Sequence, residues 1–190
     1  MSKKIILIGG GPHSNSCIDV INYNRDYEVD YIVDLKKTNS LHKTILESQL
    51  NINKLQGLNA HISIGQLKNG DLRENVFSKY KNYGCNFPPI ISKNSYFSKS
   101  SNIDEGTIIM HRVVINGNVS IGKNCIINSG CVIEHDTVIE DNVHIAPAAV
   151  ILGGCTIKKN SFVGSNSTVK QSSLVVENSI ISANQYYKTK

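Results

Sequence analysis

Residues 103–181 read, in groups of six, IDEGTI IMHRVV INGNVS IGKNCI INSGCV IEHDTV IEDNVH IAPAAV ILGGCT IKKNSF VGSNST VKQSSL VVENSI I. The first letter of every group, from Ile103 to Ile181, is Ile or Val, fourteen times in succession. With 41 Ile and Val among 190 residues, chance placement would achieve this in about one register in a billion, so the period is a true repeat. Ile91 and Phe97 extend it backwards. A second column lies four residues after each of these positions. It runs Thr107, Val113, Val119, Cys125, Cys131, Thr137, Val143, Ala149, Cys155, Ser161, Ser167, Ser173 and Ser179, all small or β-branched. A large aliphatic residue filling each flat face and a small one near each corner make the hexapeptide repeat of a parallel β-helix. Three hexads form one 18-residue coil, and stacking at the strand spacing gives roughly five coils, about 25 Å tall.

The repeat constrains where chemistry can sit. Cys125, Cys131 and Cys155 occupy the small interior column, where a free Cys packs as a small hydrophobe, so none is expected to act as a nucleophile. Catalytic groups must come from outward positions. One stretch, Asn128 to Asp136, ends with His135 between Glu134 and Asp136. Carboxylates beside an imidazole can fix the tautomer and orientation that a general base needs, and sequence alone leaves open which of the two does so. His144 follows nine residues later, half a coil, which puts the two imidazoles on different faces of one prism. If both take part in one site, that site lies at a subunit boundary, as in a trimer. Zinc held by His111, His135 and His144 is the weaker reading, because the first two are one coil plus one face apart and no short ligand spacing occurs. No metal is expected.

The first half has a different period. Lys4–Ile8 reads as a strand broken by Gly9-Gly10-Gly11-Pro12, with a helix after it capped by Ser14, Asn15 or Ser16 and buried through Cys17, Val20 and Ile21. A strand at Tyr27–Val33 ending at Asp34, a helix around Leu41–Gln49, a strand near His61–Ile64 and a helix after Asp71 continue the alternation. Strands alternating with helices imply a small, Rossmann-like parallel sheet. The expected domains are therefore 1–85 (α/β), 86–181 (β-helix) and a tail, 182–190. The glycine loop between strand and helix is placed to cradle a phosphate, although Ser14 stands where a dinucleotide fingerprint has its third glycine. Asp34 lies where an acid reaches a ribose or sugar hydroxyl.

Five cysteines without CxxC spacing argue for free thiols in a reducing compartment, and no apolar run approaches a membrane span, so the expected location is the cytoplasm. The net charge of +5 comes from scattered lysines. It suits small anionic ligands as well as nucleic acid and so decides nothing alone; neither nucleic acid nor a membrane is expected as partner.

The order IILIGGGPHSNSCIDVI, FPPIISKNSYFS, NSGCVIEHD and HIAPAAVILGG resembles the bacterial sugar O/N-acyltransferases, the family of sialic acid O-acetyltransferases and UDP-4-amino-sugar N-acetyltransferases. The resemblance implies a homotrimer with a left-handed β-helix that moves an acetyl group from acetyl-CoA to a sugar amine or hydroxyl. It implies His135 as general base with Asp136 as its orienting carboxylate, and Asn128 on the acceptor. It further implies His144 of a neighbouring chain at the thioester, Gly153 and Gly164 along the CoA groove, and Gly10, Gly11, His13 and Asp34 in the nucleotide site. Direct transfer with one base near neutral pKa needs no nucleophile. Backbone N–H groups or His144 are candidate donors to the developing oxyanion, and Lys123, Lys158 and Lys159 candidate attractors of CoA phosphates. The expected activity is N-acetylation of a nucleotide-linked 4-amino-6-deoxy sugar for a surface glycan. The alternatives are O-acetylation of a sialic-acid-like sugar and a non-catalytic trimeric scaffold.

Overall fold

Strand β1 (Lys3–Ile8) carries apolar residues on both sides because both faces of its sheet are covered. Helix α1 (Pro12–Asn24), β2 (Tyr27–Asp34), β3 (Thr44–Leu46), β4 (Asn59–Ile62) and α2 (Asp71–Asn82) follow. The computed structural model describes residues 2–37, 40–67 and 70–189. The four strands are parallel in the order β3-β2-β1-β4. Ile6, Ile8, Val33 and Ile62 pack with Phe77 and Tyr80 of α2. Ile5, Leu7 and Ile32 pack with Cys17, Val20 and Ile21 of α1 and, beyond them, with Ile90, Ile108 and Ile126 of the second half.

Three local expectations are corrected. The segment 41–49 is not a helix: Thr44–Leu46 pairs with β2, Ile45 opposite Val33, and only Glu47–Gln49 coils, as one 3-10 turn. β-Branched Thr44 and Ile45 suit the open edge of β2, whose hydrogen bonds they complete. Helix α1 starts earlier than Ser14, with Gly11 as N-cap and no side-chain cap. Proline in the first turn, with φ preset and no N–H to satisfy, explains the start at Pro12. Strand β4 ends at Ile62, and Ser63 instead turns its hydroxyl to the carbonyls of Ile8 and Gly9.

From Ile90–Ile91 to Tyr186–Tyr187 the chain winds as a parallel β-helix whose two-residue strands form three sheets of six, five and six. Each strand pairs with the one 18 residues on, as Ile108, Ile126 and His144 do. The aliphatic column from Ile109 to Ile181 is buried along the axis. The small column is buried too as far as Ser173, and hydroxyls and thiols along it donate to carbonyls fifteen residues ahead, for example Thr107 to Gly122, Cys131 to Ala146 and Ser167 to Ser182. Burial pushes the Cys125 and Cys131 thiols up to about 12, which leaves them protonated and inert. A third column marks the corners: residues 106 to 184, every sixth, all have φ between 53° and 74°. Seven of these fourteen are Asn and three are Gly, the residues that tolerate a left-handed backbone best.

Call the face holding Ile90, Ile108, Ile126, His144, Phe162 and Ile180 the first face. The sheet of the N-terminal half covers its lower coils. The second face bears Tyr96, Val114, Val132, Val150, Thr168 and Tyr186, and the third Asn102, Ser120, Val138, Thr156 and Leu174.

Candidate active site

A cleft of about 750 Å³ opens between the glycine loop, the end of β2, helix α2 and the first face of the β-helix. Gly9 makes the loop possible, since its φ is +103° and a Cβ there would collide with the Ile64 side chain. Its N–H bonds the Val33 carbonyl, and Gly10 donates its N–H to Asp34 Oδ2, while Asp34 Oδ1 accepts from Lys36. The Asp34 carboxylate thus shapes the loop, with lone pairs left over for a ligand hydroxyl. Beside Gly11 there is open space. His13, in the first turn of α1, lines the cleft, and its Nε2 is buried without a partner among the described residues. Burial, helped by the Arg73 guanidinium, lowers its pKa to about 4 and keeps it neutral.

Asn128 and His144 face the same cleft from the β-helix. His144 is only 5% exposed, with its ring edge-to-face against Phe162. Its Nδ1 lies 2.6 Å from the Gln66 carbonyl and its Nε2 3.1 Å from Asn128 Nδ2. A carbonyl only accepts and an amide nitrogen only donates, so Nδ1 carries the proton and Nε2 accepts. Burial lowers the pKa to about 4, so the ring is neutral. This corrects the expectation that His144 donates to an oxyanion: Nε2 has no proton to give. The second N–H of Asn128 remains for that task, since its Oδ1 accepts from Ser129.

His135 stands elsewhere, on the corner between the second and third faces, with its side chain 59% exposed. Asp136 occupies a left-handed corner position, φ 58°, and its Oδ2 is 2.8 Å from His135 Nδ1. The bonds from His135 and Asn118 hold the Asp136 carboxyl below its usual range. Glu134 instead accepts from Asn116 at 2.8 Å. Gly153, one coil on, lies directly beneath the imidazole: a Cβ there would be 2.8 Å from both Cε1 and Nε2. Gly164 touches the backbone of Ala183 in the next coil, where a Cβ would come within 2.5 Å of its nitrogen, so the coil stacking itself requires that glycine. One chain therefore brings together Gly11, His13, Asp34, Asn128 and His144, and separately His135, Asp136 and Gly153.

The lysines expected to attract phosphates are already matched by carboxylates 18 residues away: Lys123 with Glu105, Lys158 with Glu140, Lys159 with Glu177. His111 is held by Ser92 and Asp19. Among the described residues no three His, Cys, Asp or Glu side chains are grouped as metal ligands.

Sequence reasoning missed two residues that hold the cleft together. Arg73 of α2 is 1% exposed and donates to the carbonyls of Ile62, Ile64 and Asn124 and to Asn124 Oδ1 at 2.9 Å. Gln66 donates to the Asn142 carbonyl as well as receiving His144. Both fasten the loop after β4 to the β-helix.

The bacterial transferase hexapeptide (six repeats) model matches residues 100–135 and 136–171, and the PglD N-terminal domain model matches 4–80. The structure is similar to a His-to-Asn variant of perosamine N-acetyltransferase from Caulobacter crescentus in complex with CoA and GDP-perosamine. That match has 26% identity, covers 97% of this chain and 89% of the other, and has a TM-score of 0.89. The acetyltransferase domain of PglB from Neisseria gonorrhoeae, in complex with acetyl coenzyme A, matches at 20% identity over the whole of both chains with a TM-score of 0.85. WeeI from Acinetobacter baumannii matches at 20% identity over 95% and 94% with a TM-score of 0.64, and these last two speak for the fold alone. No curated protein sequence matches significantly.

Proposed function

Because the chain belongs to the bacterial sugar acyltransferases of the hexapeptide family, we propose that it transfers acetyl from acetyl-CoA to the amino group of a nucleotide-linked 4-amino-6-deoxy sugar. The observation that carries this reading is the cleft: a glycine loop at a helix N-terminus beside Asp34 faces, across the same space, Asn128 and His144 of the repeat. A sugar nucleotide laid there would rest its phosphates near the α1 N-terminus and extend its sugar toward the β-helix. The perosamine N-acetyltransferase complex supports that chemistry, since its ligands are CoA and a nucleotide-linked amino sugar.

His135 is the proposed general base. Asp136 accepts the Nδ1 proton, which leaves Nε2 unprotonated and directed outward to take a proton from the attacking amine. The amine adds to the thioester carbonyl, the tetrahedral oxyanion collapses with cleavage of the C–S bond, and the departing thiolate takes up the proton that His135 had removed, leaving as the CoA thiol. Asn128 is the proposed donor to the oxyanion or acceptor sugar, locked by His144.

A cyclic trimer completes the site. The second face is largely apolar on its outside, from Tyr96 through Val114, Val132 and Val150 to Tyr186, and needs covering. Its two edges carry the Asn128 corner and the His135 corner. A head-to-tail contact through this face sets one edge against the opposite edge of the next copy, bringing His135 of one chain to the cleft of its neighbour. No helix among the described residues is long and apolar enough to cross a membrane, in keeping with a proposed cytoplasmic site of action on soluble sugar nucleotides.

The deciding experiment is CoA-thiol release from acetyl-CoA with nucleotide-linked 4-amino-6-deoxy sugars beside free sialic acid. Turnover with a nucleotide-linked amino sugar is expected. Turnover with sialic acid alone would replace the reading with O-acetylation, and CoA binding without turnover on any acceptor would leave a scaffold.

A further inference from the structure

The glycine loop and the β-helix account for one end of the cleft, and its other end holds a polar trio with no role so far. Glu47 comes from the 3-10 turn after β3, Lys79 and Tyr80 from α2, and all three line the cleft. Glu47 Oε1 accepts the Tyr80 hydroxyl at 2.7 Å and Oε2 the Lys79 ammonium at 2.9 Å. Burial alone would push the Glu47 carboxyl up, but the Tyr80 and Lys79 bonds together outweigh it and hold the group ionised. The walls around the trio are apolar: Val33, Leu35, Leu72 and Val76.

We propose, on the reading that the cleft binds a nucleotide-linked sugar, that Glu47 and Lys79 read the nucleobase and select guanine. The trio offers, in order, a donor (Lys79 Nζ) and two acceptors (Glu47 Oε2 and Oε1). Each carboxylate oxygen keeps a lone pair after its internal bond, and the ammonium keeps two of its three hydrogens. Guanine presents the complement along one edge: the O6 acceptor, then the N1–H and N2–H donors. Uracil and thymine present acceptor, donor, acceptor, which would press a carbonyl against a carboxylate oxygen. Cytosine presents donor, acceptor, acceptor, and adenine sets its N1 lone pair against Glu47. Tyr80 is fully buried and clamps Oε1, so the carboxylate is oriented before the base arrives. Apolar walls suit a ring bound edge-on to the trio.

The test is calorimetric binding of GDP, UDP, dTDP and ADP to the full chain. GDP should bind at least about tenfold more tightly than the other three, the discrimination typical of a paired edge contact. Glu47→Gln, which turns an N–H toward a guanine N–H, should weaken GDP about tenfold to a hundredfold and leave UDP within about threefold. Lys79→Met, which keeps the carboxylate, should weaken GDP in the same direction. Unchanged CoA binding and unfolding midpoints certify that both variants are folded. UDP or dTDP binding as tightly as GDP, no binding of any of the four, or an unaltered GDP affinity in Glu47→Gln, each overturns the proposal. Its failure is separable from that of the acetyl-transfer reading. Thiol release with a UDP- or dTDP-linked amino sugar would keep the enzyme and remove guanine. A GDP preference lost in Glu47→Gln, with no CoA binding or transfer, would do the reverse.

Discussion

The imidazole of His135 rests on Gly153, one coil further along the chain, in space that any side chain at position 153 would fill. A Cβ there would stand 2.8 Å from His135 Nε2, the nitrogen assigned to take the substrate proton. Gly153→Ala should therefore rotate the ring while sparing the aliphatic interior, because residue 153 lies on an outer corner. Displacements of about 1 Å in a catalytic group can lower rates about a hundredfold. We expect that order of loss in kcat with an unfolding midpoint close to the parent's. Full activity in Gly153→Ala would show that the ring's present seat is irrelevant to turnover.

Asp136 and Glu134 flank the same histidine but face different partners, and their variants should differ accordingly. Asp136→Asn keeps a residue that tolerates φ 58° but offers His135 Nδ1 a group with no charge. Activity should drop at least about tenfold, a part of the roughly hundredfold to ten-thousandfold that a positioned general base contributes. Glu134→Gln loses only a charge on the bond from Asn116 and should stay within about threefold of the parent. The reverse ranking in steady-state assays would transfer the orienting role to Glu134.

Much of this arrangement was legible in the sequence, and the parts that were not have a common physical reason. The Ile column and the small column of residues 103–181 fix coil, face and interior, since a buried prism tolerates nothing else there. A third column was present and unread: Gly106, Arg112, Asn118, Asn124, Gly130, Asp136 and Asn142, six apart, are left-handed corners. Reading it would have placed Asp136 on a corner and so separated it from Glu134. Arg73 and Gln66 were out of reach, because most of their partners are backbone carbonyls of Ile62, Ile64, Asn124, Asn142 and nearby turns. A carbonyl oxygen carries no residue identity, so no spacing announces it. The 41–49 segment failed for a related reason: edge pairing with β2 overrode a short apolar pattern that suits helix and strand alike.

The thiols offer a simple check of burial. All five cysteines are buried, and Cys17, Cys125 and Cys131 are pushed up to about 12 by loss of solvent. A chromogenic disulfide reagent should titrate essentially none in the native protein and all five in guanidinium. Rapid reaction of even one native thiol would contradict the packing of the small column. The same result clears the reagent for following CoA release.

Acidification should destabilise the fold before any carboxylate responds. Free imidazoles take up protons near pH 6.5, whereas His13 and His144 in the fold stay neutral to about pH 4, chiefly through burial. Between those values the unfolded chain binds more protons, so the stability that these two rings control falls as pH drops from about 6.5 and levels off below about 4. Below that, Glu47, Glu105, Asp136 and Glu140, held under their usual range, continue the decline. At pH 5 the loss is on the order of 2 kcal/mol per histidine relative to pH 7. Urea unfolding at the two pH values should show it, and His144→Asn should remove a substantial share. An equal slope in parent and variant would mean that His144 is protonated as readily in the fold as out of it.

The division of the site between chains can be read from mixtures. His135→Ala and Asn128→Ala should each be nearly inactive alone. If His135 of one chain serves the cleft of the next, a mixed trimer contains boundaries where the Asn128→Ala chain supplies an intact His135 and the His135→Ala chain an intact Asn128. Random reassembly of equal amounts after mild denaturation makes about a quarter of all boundaries of this kind, so about a quarter of parental activity should return. If instead both residues served a site within one chain, every site in the mixture would keep a lesion and the activity would stay at the level of the separate variants. The ratio is independent of the acceptor's identity, so it tests the geometry of the second face and its two corners directly.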